Sequence, residues 1–325
     1  MAKKNSDEYW KRREVDERKW IESNIKSGKD FDRLIQEHYD SLLQNINKDI
    51  SDQYTHYAKR EGYTLAEARK KVSQEDVKAF SNEAKRLVDK ARTIYKQKGK
   101  VEYADFSDEV NTRLKLYNAT MRINRLEMLK AQIGLEMIDN NMDIYSAVAD
   151  HLNDNYISEL KRQAGILADS ASSVKAAETA SIVMATTGNA NFSERLWANS
   201  DVFKARLDQL LTKQMVQGLN PTVIARDLKP YLKDEVKNAR YVTERLARTE
   251  TSRVQAQAQL NSFRKYGYKY VKWIAEPSAC KICASIAATN DGIYTLDDVP
   301  TQPAHPNCMC SLSAWYDKTN SDDFN

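Results

Sequence analysis

The sequence predicts a mainly α-helical chain: an extended helical N-terminal region followed by a small α+β domain towards the C-terminus. Three observations predict it. All six prolines of the 325 residues fall between Pro221 and Pro306, so the first 220 positions hold no residue that removes a helix hydrogen bond. Through those positions apolar residues return at steps of three and four, which is one face of a 3.6-residue helix. All four cysteines lie between positions 280 and 310, shortly after an aromatic and β-branched run that suits a strand.

In chain order, Phe31, Leu34, Ile35, His38, Leu42, Ile46, Ile50, Tyr54 and Tyr57 mark the apolar face of a first long helix. Thr64 with Glu67 reads as a capping box, and Ser73 caps a further helix that runs towards Gly99. Val110, Leu114, Tyr117, Met121, Asn124, Met128, Ala131, Leu135, Ile138 and Met142 alternate steps of four and three, a coiled-coil-like seam with one Asn in it. Such a stripe suits an oligomerisation helix, but packing inside the chain's own bundle is the commoner use and the preferred one here. Ala, Ser and Thr dominate from Ala168 to Thr187, a hinge or a closely packed helix ending at Gly188. Periodicity resumes at Phe192, Leu196, Phe203, Leu207, Leu210 and Leu211, and Gly218 ends that helix. Asn220 and Pro221 then supply an N-cap and an N1 proline, and another long helix is expected from about Asp234 to Tyr266. The pattern changes at Gly267, after which Tyr268–Ala275 is the expected strand.

Hydrophobic residues make up 41% of the chain and charged residues 30%, with mean hydropathy −0.70, so the composition is that of a soluble, rather polar protein. No apolar run approaches the ~18–20 residues of a membrane span. The opening Met1–Glu8 carries basic residues with no apolar segment behind them, so no secretory signal is expected, and the setting is a reducing cytosol. Net charge is only +4, but residues 271–325 hold three basic against seven acidic side chains, a net −4, which leaves +8 on residues 1–270. Any contact with nucleic acid belongs on the helical body.

Cys280-x-x-Cys283 is followed by His305-Pro306-Asn307-Cys308-Met309-Cys310. A C-x-x-C turn lets two thiolates chelate one ion, and His305-x-x-Cys308 repeats the spacing. Five donors compete for the four places of a structural zinc site, and the spacing leaves both four cysteines and three cysteines with the histidine open. Disulfides suit an oxidising compartment, a redox C-x-x-C suits a βαβ context that is missing, and catalytic zinc wants an open position with a nearby base. Structural zinc is therefore the expectation: about forty polar residues could hardly hold a core without a staple. The element's acidic balance and its lack of two trailing histidines argue against a DNA-binding finger.

The ordered series Phe192-Ser193-Glu194-Arg195-Leu196-Trp197, Gly218-Leu219-Asn220-Pro221, Arg248-Thr249-Glu250, a strand with Trp273, and the cysteine cluster resembles the minor head proteins of tailed bacteriophages, the head morphogenesis family similar to protein F of phage Mu. The resemblance covers about residues 190–316. It implies a virion component near the portal vertex, assembled in the bacterial cytoplasm, with portal, major capsid or scaffold proteins as partners and no enzymatic role. Some members of the family are implicated in DNA binding and genome delivery. Ser193, Arg195, Trp197, Arg248, Glu250 and Trp273 become structural motif positions on this reading. The corresponding division is a helical, elongated region 1–188, a head morphogenesis domain 189–316 with its zinc element at 276–312, and a flexible tail 317–325.

Arg248 and Glu250 read as helix ion-pair residues, with Glu244 four positions before Arg248 in the favourable order. Trp273 and Trp315 are expected to cover the zinc site. His38 suits a packed helix face, and His56 and His151 have no metal-like neighbours. The basic stretch Lys85, Arg86, Lys90, Arg92, Lys96, Lys98 and Lys100 is the candidate for double-stranded DNA, although Glu83 and Asp89 dilute it. It motivates the alternative function, an internal DNA-binding protein ejected with the genome.

Overall fold

The computed structural model describes residues 7–58, part of 82–93, 125–167, 176–216 and 221–316. The long helices are α1 (Asp7–Ala58), α2 (Arg125–Leu167), α4 (Phe192–Val216) and α5 (Pro221–Lys265), with the short α3 (Ala176–Val183) between α2 and α4. A second short helix, α6 (Lys281–Ala288), sits among three strands: β1 (Tyr270–Ile274), β2 (Ile293–Thr295) and β3 (Ser311–Trp315). The chain is mainly helical with one small sheet near its C-terminus, as the sequence predicts. The capping box at Thr64, the Ser73 cap, the seam from Val110 to Asn124, Gly218 and the tail 317–325 lie outside the described residues.

The contacts divide the chain into two interleaved units. One comprises residues 1–34, 147–192 and 244–325, and the other residues 35–146 and 193–243. Helices α1, α2 and α5 each contribute one stretch to either unit. The division does not follow the single cut at residue 188.

In the unit of residues 35–146 and 193–243, the predicted periodicity is core. Ile35, Leu42, Ile46 and Ile50 of α1 are buried, as are Met128, Ala131, Leu135, Ile138 and Met142 of α2. Of the other predicted positions on α1, His38 is half-buried, and in the other unit Phe31 is half-buried and Leu34 is 39% exposed. The side chains of Tyr54 and Tyr57 lie outside the described residues. Helix α2 also buries Ile133 and Met137, which lie off the heptad stripe, so it is covered on more than one face. From α4, Leu196, Trp197, Phe203, Leu207 and Leu211 are buried; from α5, Leu228, Leu232 and Val236 are. Helix α5 begins at Pro221 and continues through Pro230, so the separate start expected near Asp234 is absent. Pro230 has no N–H to give the Arg226 carbonyl, a local loss that the buried positions on either side outweigh.

In the other unit, α5 ends in a Schellman motif. Tyr268 N donates to Phe263 O at 3.0 Å and Gly267 N to Arg264 O at 3.2 Å, with Gly267 at φ +74°. The ring of Tyr268 meets that of Phe263 edge-on at 6.5 Å, the apolar contact that accompanies such a cap. This turn delivers β1, narrower than the predicted strand. β1 is central in the order β2-β1-β3, antiparallel to both neighbours, with Tyr270 opposite Thr295 and Trp315.

A buried polar network ties β3 to three helices. The Arg162 guanidinium donates two bonds to the Glu17 carboxylate at 2.8 and 2.9 Å and two to Glu159 at 2.7 Å, and both carboxylates are fully buried. Gln259 donates to Glu159 at 2.9 Å and to Ser311 Oγ at 2.8 Å, while its own carbonyl accepts from Leu312 N at 3.0 Å. Ser311 Oγ in turn donates to Glu17 at 2.6 Å. Burial raises the pKa of Glu159 against the pull of Arg162. Each charge is satisfied by paired bonds, the condition for a buried ionic group not to destabilise its surroundings. Because Ser311 follows Cys310 directly, the network also fixes where the cysteine segment enters the sheet.

Candidate metal centre

Cys280 stands just before α6 with extended backbone (φ −69°, ψ 170°), and its carbonyl accepts from Ala284 N at 2.9 Å. Cys283 then falls in the first turn of α6. The N–H of Cys283 lowers the pKa of Cys280. After β2 the chain returns through a loop in which Asn307 takes the left-handed conformation (φ 68°) and Cys308 N donates to His305 O at 3.2 Å. That tight turn aims His305 and Cys308 at the α6 pair.

The donors converge. His305 Nε2 lies 3.1 Å from both Cys280 Sγ and Cys283 Sγ, and Cys283 Sγ lies 3.6 Å from Cys308 Sγ. Two overlapping trios, Cys280–Cys283–His305 and Cys283–Cys308–Cys310, each have all ligand atoms within 4.8 Å of one another. An ion held by thiolates at about 2.3 Å in a tetrahedron spaces them roughly 3.8 Å apart, close to what is seen. The five residues can therefore hold a metal ion. His305 Nδ1 sits 2.8 Å from the Pro306 carbonyl, which can only accept; the proton is therefore on Nδ1, and Nε2 turns its lone pair inward. The same bond raises the imidazole pKa.

Cys308 is lowered to about 6, chiefly by a hydrogen bond from the Cys310 thiol, whose own pKa rises through the same bond. Burial pushes Cys283 up to about 12. Crowded sulfurs that cannot all ionise on their own are the situation a divalent cation resolves. Cys280 is exposed while Cys283, Cys308 and Cys310 are buried, and all four thiols are free. The buried three share one apolar cluster with Phe263, Val271, Trp273, Leu312 and Ala314. Trp273 thus covers the cysteines as expected. Trp315 does not: its ring packs on Trp10 at 5.4 Å, with Lys272 Nζ 5.1 Å from its centre.

The Arg-Thr-Glu positions have other partners than the sequence suggested. Arg248 Nη2 bonds Asp32 of α1 at 2.5 Å. Buried Glu250 accepts from Arg253 Nε at 2.6 Å, and Arg253 caps the end of α3 by donating to Ile182 O at 2.9 Å and Val183 O at 3.0 Å. Thr249, between Arg248 and Glu250 in the motif, makes the link to the cysteines: its Oγ1 accepts from Asn307 N at 3.0 Å. Glu276 Oε1 likewise accepts from Met309 N at 3.2 Å. Ser193, Arg195 and Trp197 belong to α4 in the other unit, where Trp197 is buried.

The basic stretch put forward for DNA is largely neutralised where it is described. Lys90 Nζ lies 2.5 Å from Asp139 and 3.0 Å from Asp143, and Arg86 pairs with Glu83 at 2.6 Å. Lys85 is exposed, whereas Arg92, Lys96, Lys98 and Lys100 lie outside the described residues. His38 is half-buried on its helix, the His56 side chain lies outside the described residues, and His151 stacks on Phe31 at 3.9 Å while accepting from Asn155 Nδ2 at 3.2 Å. Among the described residues no helix is long and apolar enough to cross a membrane. No protein family, curated protein or solved structure matched the chain.

Proposed function

We propose that this chain is a structural minor head protein of a tailed phage, docking at the portal or inner capsid during assembly, with zinc as the ion of its cysteine element. The observation that carries the proposal is the bond between Thr249 and Asn307. It joins the Arg-Thr-Glu helix to the His-Pro-Asn-Cys loop, so the two most specific parts of the resemblance form one piece of structure. Soft thiolate donors with one imidazole suit zinc. Cys283, which belongs to both trios, is one of its four ligands, and the other three come from Cys280, His305, Cys308 and Cys310. In this role the zinc is a staple, and the protein performs no catalysis.

Quantitative mass spectrometry of virions and DNA-free proheads tests the assembly role. A few copies in both particles is the expected result, and absence from both sinks it. Elemental analysis of the purified chain tests the ion separately. One zinc per chain is expected, lost on Cys283→Ser; of Cys280, His305, Cys308 and Cys310, the one whose substitution leaves the zinc in place is not a ligand, and zinc kept on Cys283→Ser would overturn the site.

A further inference from the structure

We infer that an exposed stripe of α5 joins two copies of this chain, helix against helix and antiparallel. Tyr231, Asp234, Asn238 and Tyr241 follow one another at steps of three, four and three. That is the spacing of a coiled-coil seam, here made of aromatic and polar residues. On a helix turning 100° per residue the four fall within an arc of roughly 80°, and at 1.5 Å per residue they extend over about 15 Å. The tyrosines are 54% and 56% exposed, and Asp234 and Asn238 are exposed between them. The buried residues of the same stretch, Leu228, Leu232, Val236 and Ala239, are centred roughly 135° away around the helix. The stripe therefore faces away from the core of its own unit. Tyrosine is enriched where proteins meet, because its ring gives a large rigid contact at low entropic cost.

Self-complementarity selects a second copy as the occupant. A two-fold axis at the level of Val236 turns the stripe end for end onto itself. Tyr231, five residues before that level, then lies opposite the partner's Tyr241, five residues after it, and the rings can stack offset or meet edge-on. Asp234 lies opposite the partner's Asn238, whose amide can donate to the carboxylate. Lys237, exposed on one flank, comes within one residue's rise of the partner's Asp234, so opposite charges meet twice across the axis. On the other flank the charge of Glu235 is offset by Arg206 of α4 at 3.2 Å. Asp227, one turn before the stripe, has Arg226 at 3.1 Å. A parallel pair would instead set Asp234 against Asp234, like charge against like. Four layers of side chains bury less than the ~1,200 Å² of a standard interface, so the pair forms reversibly. The inference stands apart from the head-protein reading, because it is tested on the purified chain.

Sedimentation equilibrium of the full chain over a concentration series is the test, and a monomer–dimer equilibrium is the expected result. Tyr241→Ser should weaken the dimer at least tenfold with its helical circular dichroism intact, since one substitution acts twice in a symmetric pair. Asn238→Lys places an ammonium opposite the partner's Asp234 and should tighten the dimer about fivefold, whereas Asn238→Asp should weaken it by a similar factor. In a parallel pair both substitutions would bring like charges together, so their opposite signs report the antiparallel register. Three results would each overturn the inference. A chain that stays monomeric at every soluble concentration would leave the stripe to a different protein. A dimer that Tyr241→Ser does not weaken would use another face. Weakening by both Asn238→Lys and Asn238→Asp would deny the register.

Discussion

Asp49 is a side chain whose surroundings suit its charge poorly. It sits on α1 with Glu136, Asp52 and Glu83 close enough to repel it, and its Oδ2 is buried with no hydrogen-bond partner among the described residues. Burial first, and those like charges second, push its carboxyl up to about 7 against the weaker opposing pull of Lys48. In the unfolded chain the group would release its proton near 4. Between those values the folded protein holds a proton that the unfolded chain has shed. Stability attributable to Asp49 is therefore complete below about pH 4, falls as pH rises to about 7, and stays low beyond. Asp49→Asn removes the charge and should stabilise the protein at pH 8 by about 1–2 kcal/mol, a figure reduced for the carboxyl's remaining contact with water. At pH 4 it should give no gain. Urea unfolding at the two pH values checks this, and an equal difference at both would mean that the charge of Asp49 is not the cause.

At the scale of elements, the join between α5 and the cysteine loop hangs on one hydroxyl. Thr249→Val keeps the shape and leaves Asn307 N without its acceptor, a loss of about 1–2 kcal/mol for a half-buried amide. Loaded with zinc, the protein should then yield the ion to a chromogenic chelator about tenfold faster, with the helical circular dichroism unchanged, while Thr249→Ser should restore the wild-type rate. Unchanged release in the valine variant would mean that the loop holds itself. Local chemistry made part of this legible in sequence. Ile35, Leu42 and Ile46 repeat with the helix period, and four cysteines gathered in one short stretch mark a cluster that can hold one ion. The partners were not legible. Arg248 meets Asp32 from 216 positions away, and Ser311 meets Glu17 from 294. Pairings at such separation leave no local period, so an i,i+4 partner such as Glu244 looked the better choice. β3 was hidden for another reason: Ser311, Leu312, Ser313 and Ala314 alternate polar and apolar, but the strand holds no β-branched residue and is buried on both faces.

Over the whole molecule, stabilising material is distributed unevenly. The long helices bury apolar side chains turn after turn, whereas the sheet and α6 share one cluster of eight residues, three of them cysteines. The Cys283 and Cys308 sulfurs lie 3.6 Å apart where other cores have hydrocarbon contacts, and the segment from residue 271 onward carries a net −4 that opposes its own compaction. Binding free energy of the ion is then folding free energy for this part of the chain. Chelation should accelerate amide hydrogen exchange in β1, α6, β3 and the loop 296–310, and change the near-ultraviolet dichroism through Trp273. The far-ultraviolet spectrum should barely move, because α1, α2, α4 and α5 supply most of it. Readdition of zinc should restore protection, and magnesium, which wants six oxygen donors, should not. Exchange unchanged on chelation would deny the ion its role as a staple. Exchange accelerated equally through all the long helices would make the ion a keystone for the entire fold, a role that the paired bonds of Arg162, Glu17 and Glu159 argue against, since they hold α1 and α2 together without a sulfur donor.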